Sequence, residues 1–299
     1  MGTPAFAVAS LKALLDRGFP IVAVVTSPDK PAGRGMHMQK SDVKIFAEAH
    51  HLRILQPVNL KAPEFVNTLK EINASLQVVV AFRMLPEVIW NMPPLGTINV
   101  HASLLPQYRG AAPIHHAIIN GEKETGVTIF KLQHAIDTGN ILASLKMPIG
   151  VQETTGELYD KLQHAGAHLL AETVCKMINK ELVEKAQETN ALSLKTAPKI
   201  FKKDTLISWN KSVDEVYNFI RGLSPYPAAQ TFLDGKTLKI FSASKENAMP
   251  NGSPGDFLTD GKTFLKFTCN DGFIHATDLQ LEGKKRMSIE VFLKGYHFK

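Results

Sequence analysis

Over residues 1–190 the chain alternates apolar, β-branched runs with stretches of helical periodicity, and this alternation restricts its fold more than any other feature. Strands separated by helices pair in parallel, because a parallel pair needs a long crossover connection. Ile21 to Thr26, Leu76 to Phe82 and Gly96 to Val100 read as buried strands. Ala5 to Leu15, Ser41 to His50, Pro63 to Ile72 and Thr155 to Ile178 read as helices. Thr3 is expected to cap the first helix, with Pro4 at its first position, and Thr155 to cap the last. Pro113 to Asn120 suits a short helix that Gly121 stops. Gly126 to Leu132 and Asn140 to Met147 read as paired strands around the turn Ile136-Asp137-Thr138-Gly139. A strand–turn–helix unit needs its strand, so one is expected before Gly2-Thr3-Pro4, and Met1 sits where it would end.

The pattern changes near residue 190. Asn190 to Asp204 is polar and lysine-rich: Lys195, Lys199, Lys202 and Lys203 against Asp204 leave a net +3, half of the chain's formal +6. Val213 to Gly222 then reads as a helix. Ala229–Leu233, Thr237–Ser242, Phe264–Thr268 and Gly272–Leu281 read as short strands, punctuated by Asp-Gly turns at Asp234, Asp260 and Asp271. Such a run of short strands suggests a small β-barrel. The expected organisation is an α/β domain over 1–189, a basic linker over 190–205 and a β-rich domain over 206–299.

Composition narrows the class. An apolar fraction of 44% and a charged fraction of 21% are those of an ordinary soluble protein. No apolar run approaches the roughly 20 residues of a spanning helix, and the opening residues lack the charged and apolar regions of a signal peptide. A cytoplasmic protein is expected. Its two cysteines, Cys175 and Cys269, are far apart, which argues against a disulfide framework and a cysteine-rich zinc site. The positive balance favours an anionic partner.

Chemistry concentrates in Asn99-Val100-His101, followed by Ser103-Leu104-Leu105-Pro106 and by Arg109-Gly110-Ala111-Ala112-Pro113-Ile114. Residues two apart on a strand face the same side. Asn99 and His101 therefore share a face at the carboxyl end of a strand, where open α/β sheets take ligands. An amide can hold a developing oxyanion, and an imidazole can move a proton near neutral pH, which suits acyl transfer. Asp137, in the hairpin turn, is a candidate partner for His101; taken alone, an aspartate in a turn is ordinary. The loop Pro28 to Gly35 could present Arg34 to an anionic substrate, since its planar donors match phosphate oxygens. Phe82-Arg83-Met84-Leu85-Pro86 follows a buried strand and could line a crevice for a flat heterocycle. His115-His116 makes a poor chelating pair, because adjacent helical residues diverge. No GxGxxG or GxxxxGK[ST] motif occurs, so a dinucleotide or P-loop site is not supported.

Together these motifs resemble the methionyl-tRNA formyltransferase family. The resemblance rests on Gly2-Thr3-Pro4-Ala5-Phe6-Ala7, Pro31 to Gly35, Asn99 to Pro106, Arg109 to Ile114, Asp137 to Gly139, and Ala197 to Ile200 with Ile207-Ser208-Trp209. It implies an α/β, Rossmann-like formyltransferase domain with a parallel sheet, followed by a smaller OB-like β-barrel domain. It also implies 10-formyltetrahydrofolate as co-substrate, initiator methionyl-tRNA as acceptor, no metal and a monomeric enzyme. Asn99, His101 and Asp137 match the family's catalytic triad, and Ser103, Leu104, Leu105 and Pro106 its folate-binding loop. Phe82, Arg83, Met84 and Leu85 would lie on the folate side, with Arg83 standing where the family usually has a glycine. Arg34, Lys199, Lys202 and Lys203 would meet the tRNA. A folate-dependent formyltransferase acting on a nucleotide or amino-sugar, and an RNA-binding protein without activity, are the alternative expectations.

Overall fold

The computed structural model describes residues 1–32, 37–189 and 193–298. The chain divides into two units. The first comprises Met1–Gly110, Gly126–Met147 and Tyr159–Lys195; the second comprises Ala111–Thr125, Pro148–Leu158 and Thr196–Lys299. Among the described residues no helix is long and apolar enough to cross a membrane.

The first unit is built on parallel pairs. Strand β1 (Val24–Val25) pairs in parallel with β2 (Ile54–Leu55), and β3 (Gln77–Val80) with β4 (Thr97–His101). Strand β4 continues antiparallel to β5 (Glu124–Lys131), which neighbours β6 (Ile141–Pro148). Met1 and Gly2 lie between β1 and β3. The Gly2 N–H donates to the Val25 carbonyl at 3.0 Å, and the Val80 N–H to the Met1 carbonyl at 2.9 Å. Helices α1 (Ala5–Asp16), α2 (Asp42–Ala49) and α3 (Pro63–Ile72) fill the connections. The strand expected over Ile21 to Thr26 contracts to Val24–Val25, because the ladder to β2 reaches only those two residues.

Two helix caps differ from expectation. Helix α1 has Pro4 at its N-cap, and the Thr3 hydroxyl hydrogen-bonds Ser27 Oγ at 3.0 Å instead of capping. The long helix α5 (Thr155–Ile178; the second unit's Pro113–Ile119 is α4) is capped one residue early. Thr154 N–H donates to Glu157 Oε2 at 2.8 Å and Thr154 Oγ1 accepts from the Glu157 N–H, a reciprocal capping box. Thr155 Oγ1 instead donates to the Gly222 carbonyl at 2.7 Å.

In the second unit, α6 (Val213–Leu223) starts at Ser212, which accepts from the Glu215 N–H in another capping box. Five strands follow: β7 (Ala229–Leu233), β8 (Lys236–Glu246), β9 (Phe257–Thr259), β10 (Leu265–Thr268) and β11 (Phe273–Leu281). They form one antiparallel sheet in the order β7-β8-β11-β10-β9, with Met287–Ser288 added beside β11. Asp234 and Gly235, both at positive φ (47° and 75°), make the tight turn between β7 and β8. Register shifts within Ile240–Ala243 bend β8, so the sheet curls into a partial barrel of the OB-like kind. Its core includes Trp209, Ile220, Leu238, Ile240, Phe267 and Ile274. The stretch expected as a linker carries a two-residue strand, Thr196–Ala197, and a 3₁₀ turn, Lys202–Thr205.

In the first unit the sheet rests on α5 through Gly166. A Cβ there would come within 3.1 Å of Val100 Cγ1 and 3.2 Å of Val127 Cγ1. Val100 lies on the face of β4 opposite Asn99 and His101, so this contact sets the floor beneath those two side chains. Overpacking a filled core costs about 1–3 kcal/mol. Gly166→Leu should therefore lower unfolding free energy by about that amount in urea titration.

Candidate active site

The period of β4 puts Thr97, Asn99 and His101 on one face and Ile98 and Val100 on the other. Asn99 stands opposite Phe130 of β5, and His101 opposite Thr128. The His101 side chain is 7% exposed, and its ring meets the Phe130 ring edge-on at 6.3 Å between centroids. Asn99 Oδ1 is buried and has no hydrogen-bond partner. A buried amide oxygen in that state is costly unless something else supplies a donor.

The structure brings Asp137 to His101. Asp137 Oδ2 is 3.8 Å from His101 Nδ1, beyond a direct hydrogen bond but within ion-pair distance of a protonated ring. The imidazole is oriented by another group: Nε2 lies 2.9 Å from the Tyr108 carbonyl oxygen. A carbonyl only accepts, so Nε2 carries the hydrogen. In the neutral ring Nδ1 is therefore the bare nitrogen, and it faces the carboxylate. A proton arriving at Nδ1 turns that encounter into an ion pair.

Asp137 is held as firmly. Its Oδ2 accepts the Gly110 N–H at 2.9 Å, and its own backbone is left-handed, with φ 53°. The turn beyond it is pinned at Gly139, where a Cβ would fall 1.7 Å from the Lys131 carbonyl oxygen. Glu184 braces the same turn, accepting from Asn140 Nδ2 at 3.0 Å and pairing with Lys131 Nζ at 3.1 Å. Those donors, Asn140 foremost, hold its carboxyl below the usual range.

The loop after β4 is fixed by one hydroxyl. Thr128 Oγ1 donates to the Ser103 carbonyl at 2.7 Å and accepts the Leu105 N–H at 3.1 Å. Ser103 is fully buried and donates to the Gln107 carbonyl at 2.7 Å, while Leu105 is buried. Leu104 and Pro106 are half-buried. After β3, Leu85 joins a core cluster with Val79 and Ile89, Phe82 packs against it, and Met84 is 79% exposed. Arg83 donates to the carbonyls of Pro57 (2.7 Å) and Val58 (2.9 Å), so its guanidinium braces a neighbouring loop.

Arg34 lies outside the described residues. Lys199, Lys202 and Lys203 are exposed in the second unit. Lys199 and Lys202 line a cavity of about 680 Å³ there, with Phe201, Tyr226 and Lys239. His115 and His116 point at different carbonyls, those of Tyr226 and Pro198. Burial holds the His115 imidazole below its usual range, so it adds little positive charge. Tyr108, Thr128 and Gln187 are structural contributors that residue type and spacing do not reveal. The strand register opposite His101 is the one signal that points to Thr128.

Residues 1–174 match the formyl transferase family, and residues 199–297 match the formyl transferase C-terminal domain. The chain belongs to the formyl transferase family. Within it, the methionyl-tRNA formyltransferase of Bacteroides fragilis is 50% identical over 304 residues, covering 99% of this chain and 94% of that protein. That of Flavobacterium johnsoniae is 46% identical over 302 residues, covering 100% and 95%. Among solved structures, the sugar 3N-formyl transferase WlaRD, crystallised in the presence of dTDP and 5-N-formyl-THF, has a TM-score of 0.67 at 24% identity, covering 95% of this chain and 97% of its own. An N-formyltransferase from Helicobacter canadensis, in complex with folinic acid and dTDP-3-aminofucose, has a TM-score of 0.66 at 24% identity, covering 92% and 96%. These two structures share the fold of this formyl transferase.

The Tyr108 contact makes a spectroscopic prediction. In ¹⁵N NMR of imidazole-labelled protein, neutral His101 should show its hydrogen on Nε2. A neutral ring with the hydrogen on Nδ1 would contradict the geometry.

Proposed function

We propose that this formyl transferase moves the formyl group of 10-formyltetrahydrofolate to the α-amino group of methionine esterified to initiator tRNA, serving translation initiation. The carrying observation is 50% identity to a methionyl-tRNA formyltransferase across 99% of the chain. The geometry around Asn99, His101 and Asp137 supports the chemistry. The loops Phe82–Leu85 and Ser103–Pro106 leave the carboxyl ends of adjacent strands β3 and β4, the place where open α/β sheets take ligands. The unpartnered Asn99 Oδ1 there fits a ligand that gives a hydrogen bond.

The formyl donor supplies an activated one-carbon acyl group; the protein's residues manage charge and protons. The neutral amine attacks the formyl carbon, so a new C–N bond forms and negative charge gathers on the formyl oxygen. Asn99 donates an amide N–H to that oxygen, and its carbonyl end accepts from the attacking amine. His101 takes the amine's proton at Nδ1, the nitrogen left bare by Tyr108. Asp137 stabilises the resulting imidazolium. The old C–N bond then breaks, and the proton passes to the departing folate nitrogen.

The acceptor is held by charge. Exposed Lys199, Lys202 and Lys203 offer three phosphate contacts, and the neighbouring cavity adds the aromatic side chains Phe201 and Tyr226. Arg34 joins them as the proposed reader of the acceptor end.

Losing one oxyanion donor typically costs about 10²–10³ in turnover. Asn99→Ala should show that loss in a radiolabelled transfer assay with charged initiator tRNA, while tRNA affinity stays near wild type. Wild-type turnover in Asn99→Ala would sink the assignment. The tRNA affinity should also fall with salt, and replacing the three lysines by alanine should flatten the log–log slope by about one per lysine. An unchanged slope would remove these lysines from the interface.

A further inference from the structure

A run of exposed residues after α5 returns to the Asp137 turn, and one member of it faces inward. Lys185 exchanges backbone hydrogen bonds with Ile141 at 2.7 and 2.9 Å, which anchors the run along β6. Glu184, Lys185, Ala186 and Glu188 are exposed, whereas Gln187 is half-buried. Its Nε2 donates to the carbonyls of Asp137 (2.9 Å) and Gly139 (2.8 Å). Its Oε1 accepts from Arg109 Nε (3.1 Å) and Nη2 (2.6 Å). Both amide protons and both lone pairs are used. Arginine only donates and carbonyls only accept, so the amide can face one way alone.

These bonds close a ring. Arg109 holds Gln187, Gln187 holds the Asp137 backbone, and the Asp137 carboxylate accepts from the N–H of Gly110, the residue after Arg109. Within this ring Asp137 sits in the left-handed region, which aspartate tolerates better than most side chains but which the bonds to its carbonyl and carboxylate fix here. Glu184 grips the far side of the turn through Asn140 and Lys131. Gln187 touches the two carbonyls that flank Thr138 and so sets the direction in which the Asp137 side chain leaves the turn.

We propose that Gln187 is a positioning residue for formyl transfer, acting on the chemical step only by holding the Asp137 carboxylate toward His101. The proposal rests on the formyl-transfer reading above. Misplacing a catalytic group by about 1 Å can cost about 100-fold.

Gln187→Glu is the sharpest probe, because it keeps size and the Arg109 contact. It replaces two donated hydrogen bonds by a carboxylate oxygen set against two carbonyl oxygens. Gln187→Met removes the bonds while keeping the length, and serves if the glutamate variant does not fold. Steady-state transfer, run below the variant's thermal midpoint, should show kcat lowered about 10- to 100-fold, with KM for both substrates within about twofold. In an Asp137→Asn background the same substitution should cause no further loss. Wild-type kcat in the folded variant, or an equal additional loss in the Asp137→Asn background, overturns the positioning role while active wild-type protein leaves the functional reading intact. Wild-type protein that transfers no formyl group to charged initiator tRNA overturns that reading and the positioning role with it.

Discussion

The Tyr108 carbonyl takes the His101 Nε2 hydrogen while, two residues on, the Gly110 N–H binds the Asp137 carboxylate. Between them Arg109 reaches Gln187, which grips the turn carrying Asp137. Three consecutive residues thus fix the tautomer of the imidazole, the direction of the carboxylate and the turn that delivers it. Remove this stretch and Asn99 and His101 still share a strand face, but nothing decides which imidazole nitrogen is basic.

The stretch and the turn that it holds each carry a residue in the left-handed region. Tyr108 has φ 59° and Asp137 φ 53°. A non-glycine residue in an unfavourable backbone region costs about 1–3 kcal/mol, more than the roughly 1 kcal/mol that one net hydrogen bond returns. Several bonds must therefore act together. Tyr108 is buried and its N–H donates to the Lys195 carbonyl at 2.7 Å, while Asp137 is held through its carboxylate and its carbonyl. The strain and its restraints sit where the proposed acid–base pair needs a fixed geometry. The floor is equally set, with Gly166 of α5 pressed against Val100 and Val127.

Sequence pattern exposes what is periodic or local. Asn99 and His101 lie on one face because a strand repeats every two residues, and β4 spans both. The Asp234-Gly235 turn, the strand Ala229–Leu233 and helices α2 and α3 follow from turn chemistry and periodicity. Ile54–Leu55 and Phe257–Thr259 escape notice because two or three residues are too few to show a period. The cap of α5 at Thr154 rather than Thr155 turns on which of two adjacent threonines meets Glu157, a choice that composition cannot make. The supports of the site are the least legible part. Gln187 meets Asp137 across fifty residues, and Tyr108 acts through its carbonyl, which is common to every residue type. Arg83, expected on the folate side, donates through Nη2 and Nη1 to the carbonyls of Pro57 and Val58, backbone partners that no local pattern reveals.

The central claim is that His101 and Asp137 work as one acid–base unit because the Tyr108–Gly110 stretch aims them at each other. A double-mutant cycle in single-turnover formyl transfer, with both substrates saturating, tests it most directly. Groups that act as a unit lose their contribution once, so the double variant His101→Ala/Asp137→Ala should be about as slow as the slower single variant. Losses that multiply across the two sites would show two independent groups and contradict the account.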